Sequence, residues 1–170
     1  MSELVKGNKI LKVMVGLPRS GKSTVAAYMG DPTVNPDAIR LALHGQAFVP
    51  DAEAMVWVMT EYMIRALFLA GHDRVILDAT NITRERRDKF RSKKWTRWFY
   101  ELSTDNETCC QRAIMSGKDF LLPIINDMDV KREAITTDEL LPNERWYLQY
   151  PNKPEEFFCE HVKGPTDGTS

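Results

Sequence analysis

The sequence predicts an α/β fold built on a parallel sheet. Apolar runs of strand length alternate with segments of helical periodicity. The first run, Ile10-Leu11-Lys12-Val13-Met14-Val15, is nearly continuous, as in a strand covered on both faces. A glycine-bearing loop then leads straight into a helix pattern from about Lys22 to Met29. The 170 residues suit one domain, taken as residues 1–150. The proline-rich and polar stretch 151–170 is expected to be a flexible tail.

After the first helix, Asp31-Pro32-Thr33-Val34-Asn35-Pro36 is turn-rich and holds only a short strand. Asp37 to Leu43 is a short helix closed by His44-Gly45. Asp51 reads as the N-cap of a long helix through Ala70, with Gly71 as its stop. Its core face is expected at Met55, Met59, Met63, Ala66 and Leu67. Arg74–Asp78 is a strand, Arg84–Lys94 a charged helix and Trp98–Leu102 a further strand. Cys109–Met115 is helical, and the helical pattern resumes after Pro123. Trp57, Trp146 and Tyr147 are assigned to packing.

Composition excludes several classes. The start of the chain has no signal-peptide pattern, and no apolar run reaches the roughly 18 residues of a membrane span. No membrane partner and a cytoplasmic location follow as expectations. Cys109, Cys110 and Cys159 have neither disulfide-framework nor zinc-ligand spacing and read as reduced thiols. A net charge of −1 does not announce nucleic acid, though a local patch can still bind it. Arg84–Trp98 is such a patch: its bases and tryptophans could track a phosphate backbone and stack a base. The preferred reading is a solvated helix face with Phe90 and the tryptophans packed inward.

Gly16-Leu17-Pro18-Arg19-Ser20-Gly21-Lys22-Ser23 fits G-x-x-x-x-G-K-[ST] at every fixed position, between a strand and a helix. Glycines let consecutive N–H groups turn toward phosphates, and the helix N-terminus adds positive potential. Gly16, Pro18, Ser20, Gly21, Lys22, Ser23 and Thr24 form the nucleotide-binding set for ATP. Lys22 is expected on the β- and γ-phosphates and Ser23 on Mg²⁺. Asp78, ending a strand, supplies the acid that P-loop enzymes place beside the loop and is the second Mg²⁺ residue. No glutamate follows Asp78 and no Asn-Lys-x-Asp segment occurs, which favours a kinase over a motor ATPase or a GTPase. Asp37 has two readings, a base taking the acceptor's hydroxyl proton or a helix cap. Arg40, three residues on, either binds an anionic part of the acceptor or is solvated.

Four segments together resemble the P-loop 5′-polynucleotide kinase family: Gly16 to Thr24, Asn35-Pro36-Asp37 to Arg40, His44-Gly45, and Asp78-Ala79-Thr80-Asn81 with Arg86-Arg87 after it. The resemblance spans about Leu11 to Pro123. It implies a P-loop kinase fold with a four-stranded parallel sheet and a helical lid, and transfer of the ATP γ-phosphate to the 5′-hydroxyl of DNA or RNA. The implied partners are a nucleotide and a single-stranded or nicked nucleic-acid 5′ end. Carried over, Lys22, Asp37, Arg40, Asp78 and Arg112 are the catalytic set, with Asp37 the base and Arg40 an acceptor-site arginine. The chain departs at the lid, where Ser116 precedes Gly117 in place of an arginine; Arg112, Lys118 or Arg132 are the substitutes in reach. A small-metabolite kinase and an ATP-binding module without an acceptor are the alternative readings.

Overall fold

The computed structural model describes residues 8–149 and 160–163. Six strands form one sheet in the order β2-β3-β1-β4-β5-β6, where β1 is Ile10–Val15, β2 Thr33–Val34, β3 Arg74–Leu77, β4 Thr96–Leu102, β5 Arg145–Gln149 and β6 Glu160–Lys163. The first five are parallel and β6 runs antiparallel to β5. The sheet is therefore larger than the expected four strands. Arg145–Gln149, read only as packing, is a parallel strand, and Glu160–Lys163 within the expected flexible tail is a strand rather than coil. The rest of 151–170 lies outside the described residues.

Helices α1 (Lys22–Met29), α2 (Pro36–His44), α3 (Glu53–Leu69), α4 (Arg84–Asp88), α5 (Asn106–Met115) and α6 (Leu122–Lys131) complete the fold. Period-two alternation splits β1 between two layers. Leu11, Val13 and Val15 pack with Val56, Ile64 and Phe68 of α3, whereas Met14 packs with Val25 and Ala26 of α1. A third cluster seats the phosphate-loop residue Leu17 on Cys109 and Ala113 of α5 and Ile125 of α6. Among the described residues, no helix is long and apolar enough to cross a membrane.

Three local expectations are corrected. The buried stripe of α3 is Val56, Thr60, Ile64 and Phe68, while Met55 and Met63 are exposed. The helix is apolar nearly all round, so several stripes compete and contact with the sheet selects one. Its N-cap is Ala52, with no side-chain cap, since Asp51 lies in a preceding 3₁₀ turn. Helix α4 stops at Asp88 rather than Lys94 because Phe90 and Trp95 turn into the core, with Trp95 Nε1 donating to the Phe90 carbonyl at 2.9 Å.

The basic segment is not a solvated face throughout. Arg87 and Arg97 are fully buried. Arg87 Nε and Nη2 donate to Glu139 at 2.6 and 2.9 Å, and Arg97 Nε and Nη2 donate to Glu144 at 2.7 and 2.8 Å. Arg87 also donates to the Asn81 and Glu133 carbonyls, both at 3.1 Å. These forks pin the chain between α6 and β5 against the sheet. Arg87→Met leaves the Glu139 carboxylate buried without its partner, so a loss of about 3–5 kcal/mol is expected, measured as the shift in urea-unfolding free energy.

Candidate active site

The site lies at the carboxyl ends of β1 and β3, where successive connections leave the sheet in opposite directions. Gly16 closes β1, its N–H donating to the Thr80 carbonyl at 2.9 Å. A Cβ there would stand 2.8 Å from Ser20 Oγ and 3.3 Å from the Leu102 carbonyl, so a side chain at this position would crowd the loop. Asn81, buried and with φ of +46°, donates through Nδ2 to the Met14 carbonyl at 2.8 Å and locks the two strand ends together. Gly21, with φ of +105°, turns the chain into α1 without a side-chain cap. The first N–H groups of α1 are thus left for an external acceptor, which suits a phosphate.

The loop wraps Lys22. Its Nζ donates to the Leu17 carbonyl at 2.6 Å and to Ser20 Oγ at 3.4 Å. Burial is the largest influence on this ammonium and lowers its pKa to about 8, while the nearby charges of Asp78 and Asp37 oppose the shift. From outside, α5 braces the loop: Arg112 Nη1 donates to the carbonyls of Arg19 and Ser20, both at 3.2 Å. Thr104 Oγ1 donates to the same Ser20 carbonyl at 3.0 Å. Arg19 itself has φ of +66° and donates through Nη2 to Ser116 Oγ at 2.9 Å. Arg19 and Ser116 therefore meet where the resemblance expected a lid arginine. Arg132, at the end of α6, bonds the buried Glu101 and the Leu102 carbonyl, each at 3.3 Å. Pro18 lies in the loop, and Thr24 is exposed on the first turn of α1 beside Ser23.

Ser23 Oγ donates to Asp78 Oδ2 at 2.7 Å. A hydroxyl and a carboxylate beside the phosphate loop are hard oxygen donors, the set Mg²⁺ takes when nucleotide phosphates and waters supply the remainder. The residues thus fit both groups: Lys22 and the α1 amides for the phosphates, Ser23 and Asp78 for the metal.

Asn35 connects this half of the site to the next. Its Nδ2 donates to Asp78 Oδ2 at 3.1 Å, while its Oδ1 accepts from the Asp37 and Ala38 N–H groups at 2.8 and 3.2 Å. The cap of α2 is therefore Asn35, which removes the capping alternative for Asp37. The Asp37 side chain is 80% exposed and pairs with Arg40 Nη1 at 2.5 Å. Arg40 is placed differently from the expectation of a fork open to the acceptor. Its Nε and Nη2 grip Glu53 at 2.7 and 2.8 Å, because the first turn of α3 crosses α2 there. That contact raises the Arg40 pKa and lowers that of Glu53. Glu53 had no sequence signal beyond charge; Asn35 stood in plain view within Asn35-Pro36-Asp37.

Residues 11–113 match the AAA domain family AAA_33. This chain belongs to that family. The AAA_33 member also shares its fold with solved structures. One is a chain of the Pnkp1/Rnl/Hen1 RNA repair complex, at 19% identity and TM-score 0.57, covering 77% of this chain and 48% of that one. Another is a sugar kinase from Janibacter sp., at 19% identity and TM-score 0.60, covering 88% of this chain and 90% of that one. A fungal RNA kinase is similar at 11% identity and TM-score 0.51, covering 83% and 73%. The AAA_33 member spans about half the length of the chain in the RNA repair complex. At these identities the likeness is one of fold, a P-loop kinase fold. No curated protein matches the chain.

The pKa of Lys22 sets a pH dependence. In the free protein the ammonium is charged below about pH 8 and neutral above it. Phosphates favour the charged form, so binding draws in a proton near that pH and weakens as pH rises beyond it. Calorimetric titration of the AAA_33 member with ATP is expected to show proton uptake at pH 8 to 9 and falling affinity toward higher pH. Lys22→Met is expected to abolish the uptake.

Proposed function

We propose that this chain transfers the γ-phosphate of ATP to the 5′-hydroxyl of DNA or RNA. The carrying observation is Asn35, whose side-chain amide holds Asp78 while its carbonyl oxygen sets the first turn of α2, and with it Asp37. One residue thereby sets the backbone that carries an exposed carboxylate relative to the phosphate-loop half of the site. Such a carboxylate suits a general base, since a kinase acceptor must lose its hydroxyl proton as phosphate arrives.

In this reading Lys22 and the α1 amides hold the phosphates, and Ser23 and Asp78 hold Mg²⁺. Bound Mg²⁺ would supply charge neutralisation on the phosphate oxygens. Asp37 takes the proton from the acceptor hydroxyl as its oxygen bonds the γ-phosphorus and the bridging P–O bond to ADP breaks. Arg40, tied to Glu53, orients Asp37 through Nη1. Arg112 keeps the loop in shape through its carbonyls. Fold-level likeness to the fungal RNA kinase and to the RNA repair chain supports a nucleic-acid acceptor. The sugar kinase, matched over 90% of its own length, favours a small hydroxylated metabolite as the second reading.

Transfer of labelled γ-phosphate to a 5′-hydroxyl oligonucleotide in Mg²⁺ tests the reading. Lys22→Ala is expected to abolish transfer. Asp37→Ala is expected to lower kcat by about 10²–10⁴-fold with ATP affinity unchanged. Near-normal turnover of Asp37→Ala would remove the base from this scheme. Transfer to a sugar or another metabolite, with none to oligonucleotide, would establish the second reading.

A further inference from the structure

Between α3 and α4 lies a cavity of about 240 Å³ whose walls include Trp57, Glu61, Arg86, Lys89 and Phe90. The guanidinium of Arg86 lies over the Trp57 ring, 3.8 Å from its centroid. Phe90 tilts against the same indole at 6.2 Å. Arg86 is half-buried, and no side-chain hydrogen bond or ion pair engages it among the described residues. The other arginines of this segment differ. Arg84 pairs with Asp138, Arg87 with Glu139 and Arg91 with Asp88. The other cavity charges are already matched, Lys89 by Glu85 and Glu61 by Arg65.

An arginine stacked on an indole has its plane fixed and its N–H edge free. That edge matches two oxygens of a phosphate. A continuous set of contacts ties the stack to the candidate base. Glu53 grips Arg40, and Arg40 pairs with Asp37. The Arg40 guanidinium also lies 5.9 Å from the Trp57 centroid, so both arginines share one ring. A strand whose 5′-hydroxyl sits at Asp37 would bring its following phosphates toward this edge. A neutral sugar would leave Arg86 unused.

We propose that Arg86, laid on Trp57, is an acceptor-binding residue that seats a backbone phosphodiester just beyond the 5′-terminal nucleoside. This rests on the polynucleotide reading above. The seat makes charged backbone, rather than base identity, the feature recognised next to the reacting end. It binds equally in ground and transition states, so it acts on KM and not on kcat.

The test compares wild type, Arg86→Ala and Arg86→Lys on a short single-stranded 5′-hydroxyl oligonucleotide. A second oligonucleotide carries neutral methylphosphonates at its first linkages. For Arg86→Ala, KM for the charged oligonucleotide is expected to rise by about tenfold or more with kcat within about twofold. Arg86→Lys is expected to recover part of the loss. The methylphosphonate oligonucleotide is expected to raise the wild-type KM similarly and to cause no further rise in Arg86→Ala. An unchanged KM in Arg86→Ala, or additive losses, would overturn the seat while leaving the kinase reading intact. If wild type transfers nothing to oligonucleotide, fluorescence anisotropy of the same pairs decides. Weaker binding by Arg86→Ala alone would keep the seat and sink only the transfer reading, whereas equal binding or none would sink the seat as well.

Discussion

The phosphate loop encloses an ammonium that no carboxylate touches among the described residues, and the rest of the site is organised around that fact. Lys22 is solvated by a carbonyl and a hydroxyl of its own loop. Such a contact costs little to exchange, since no ion pair has to be broken when an anion arrives. The loop can hold this shape only if its backbone is fixed from outside. Arg112 and Thr104 do so through the Ser20 carbonyl, and the Thr80 carbonyl does so through the N–H of Gly16. The glycines, α5 and the end of β3 thus serve one purpose, to keep a desolvated cation poised without neutralising it.

The acid side of the site follows a complementary logic. Asp78 is buried, and one of its oxygens takes both the Ser23 hydroxyl and the Asn35 amide. Asp37 is exposed, and among the described residues its carboxylate bonds Arg40 alone. Two carboxylates placed by one asparagine therefore sit in different surroundings. That separation suits one to a structural, metal-facing duty and the other to proton exchange with a bound acceptor.

The sequence made much of this visible, and the reasons differ by element. β1 and α1 were legible to the residue because the apolar run and the glycine loop bracket them. The segments that form the candidate site could be picked out because Asn35-Pro36-Asp37 and Gly16–Ser23 are contiguous. β5 was not, because Arg145–Gln149 is only partly buried and lacks the apolar continuity of β1. The buried forks were hidden for a related reason. Arg87 and Arg97 stand in a dense run of charge that reads as solvated, and their glutamates lie 52 and 47 positions away. The Arg40–Glu53 contact was hidden as well, since its two partners stand on different helices. Charge counts along a sequence carry no information about which charges meet in space.

The distance spanned by those two forks has a consequence for where this protein can be divided. The AAA_33 match ends at residue 113, yet Glu139 and Glu144 lie beyond it and neutralise arginines within it. β5, which pairs with β4 along the sheet, also lies beyond it. A fragment cut at the limit of the family match would expose the flank of β4 and strand two cations in its interior. A piece that keeps both forks and the β4–β5 pairing runs at least through Gln149.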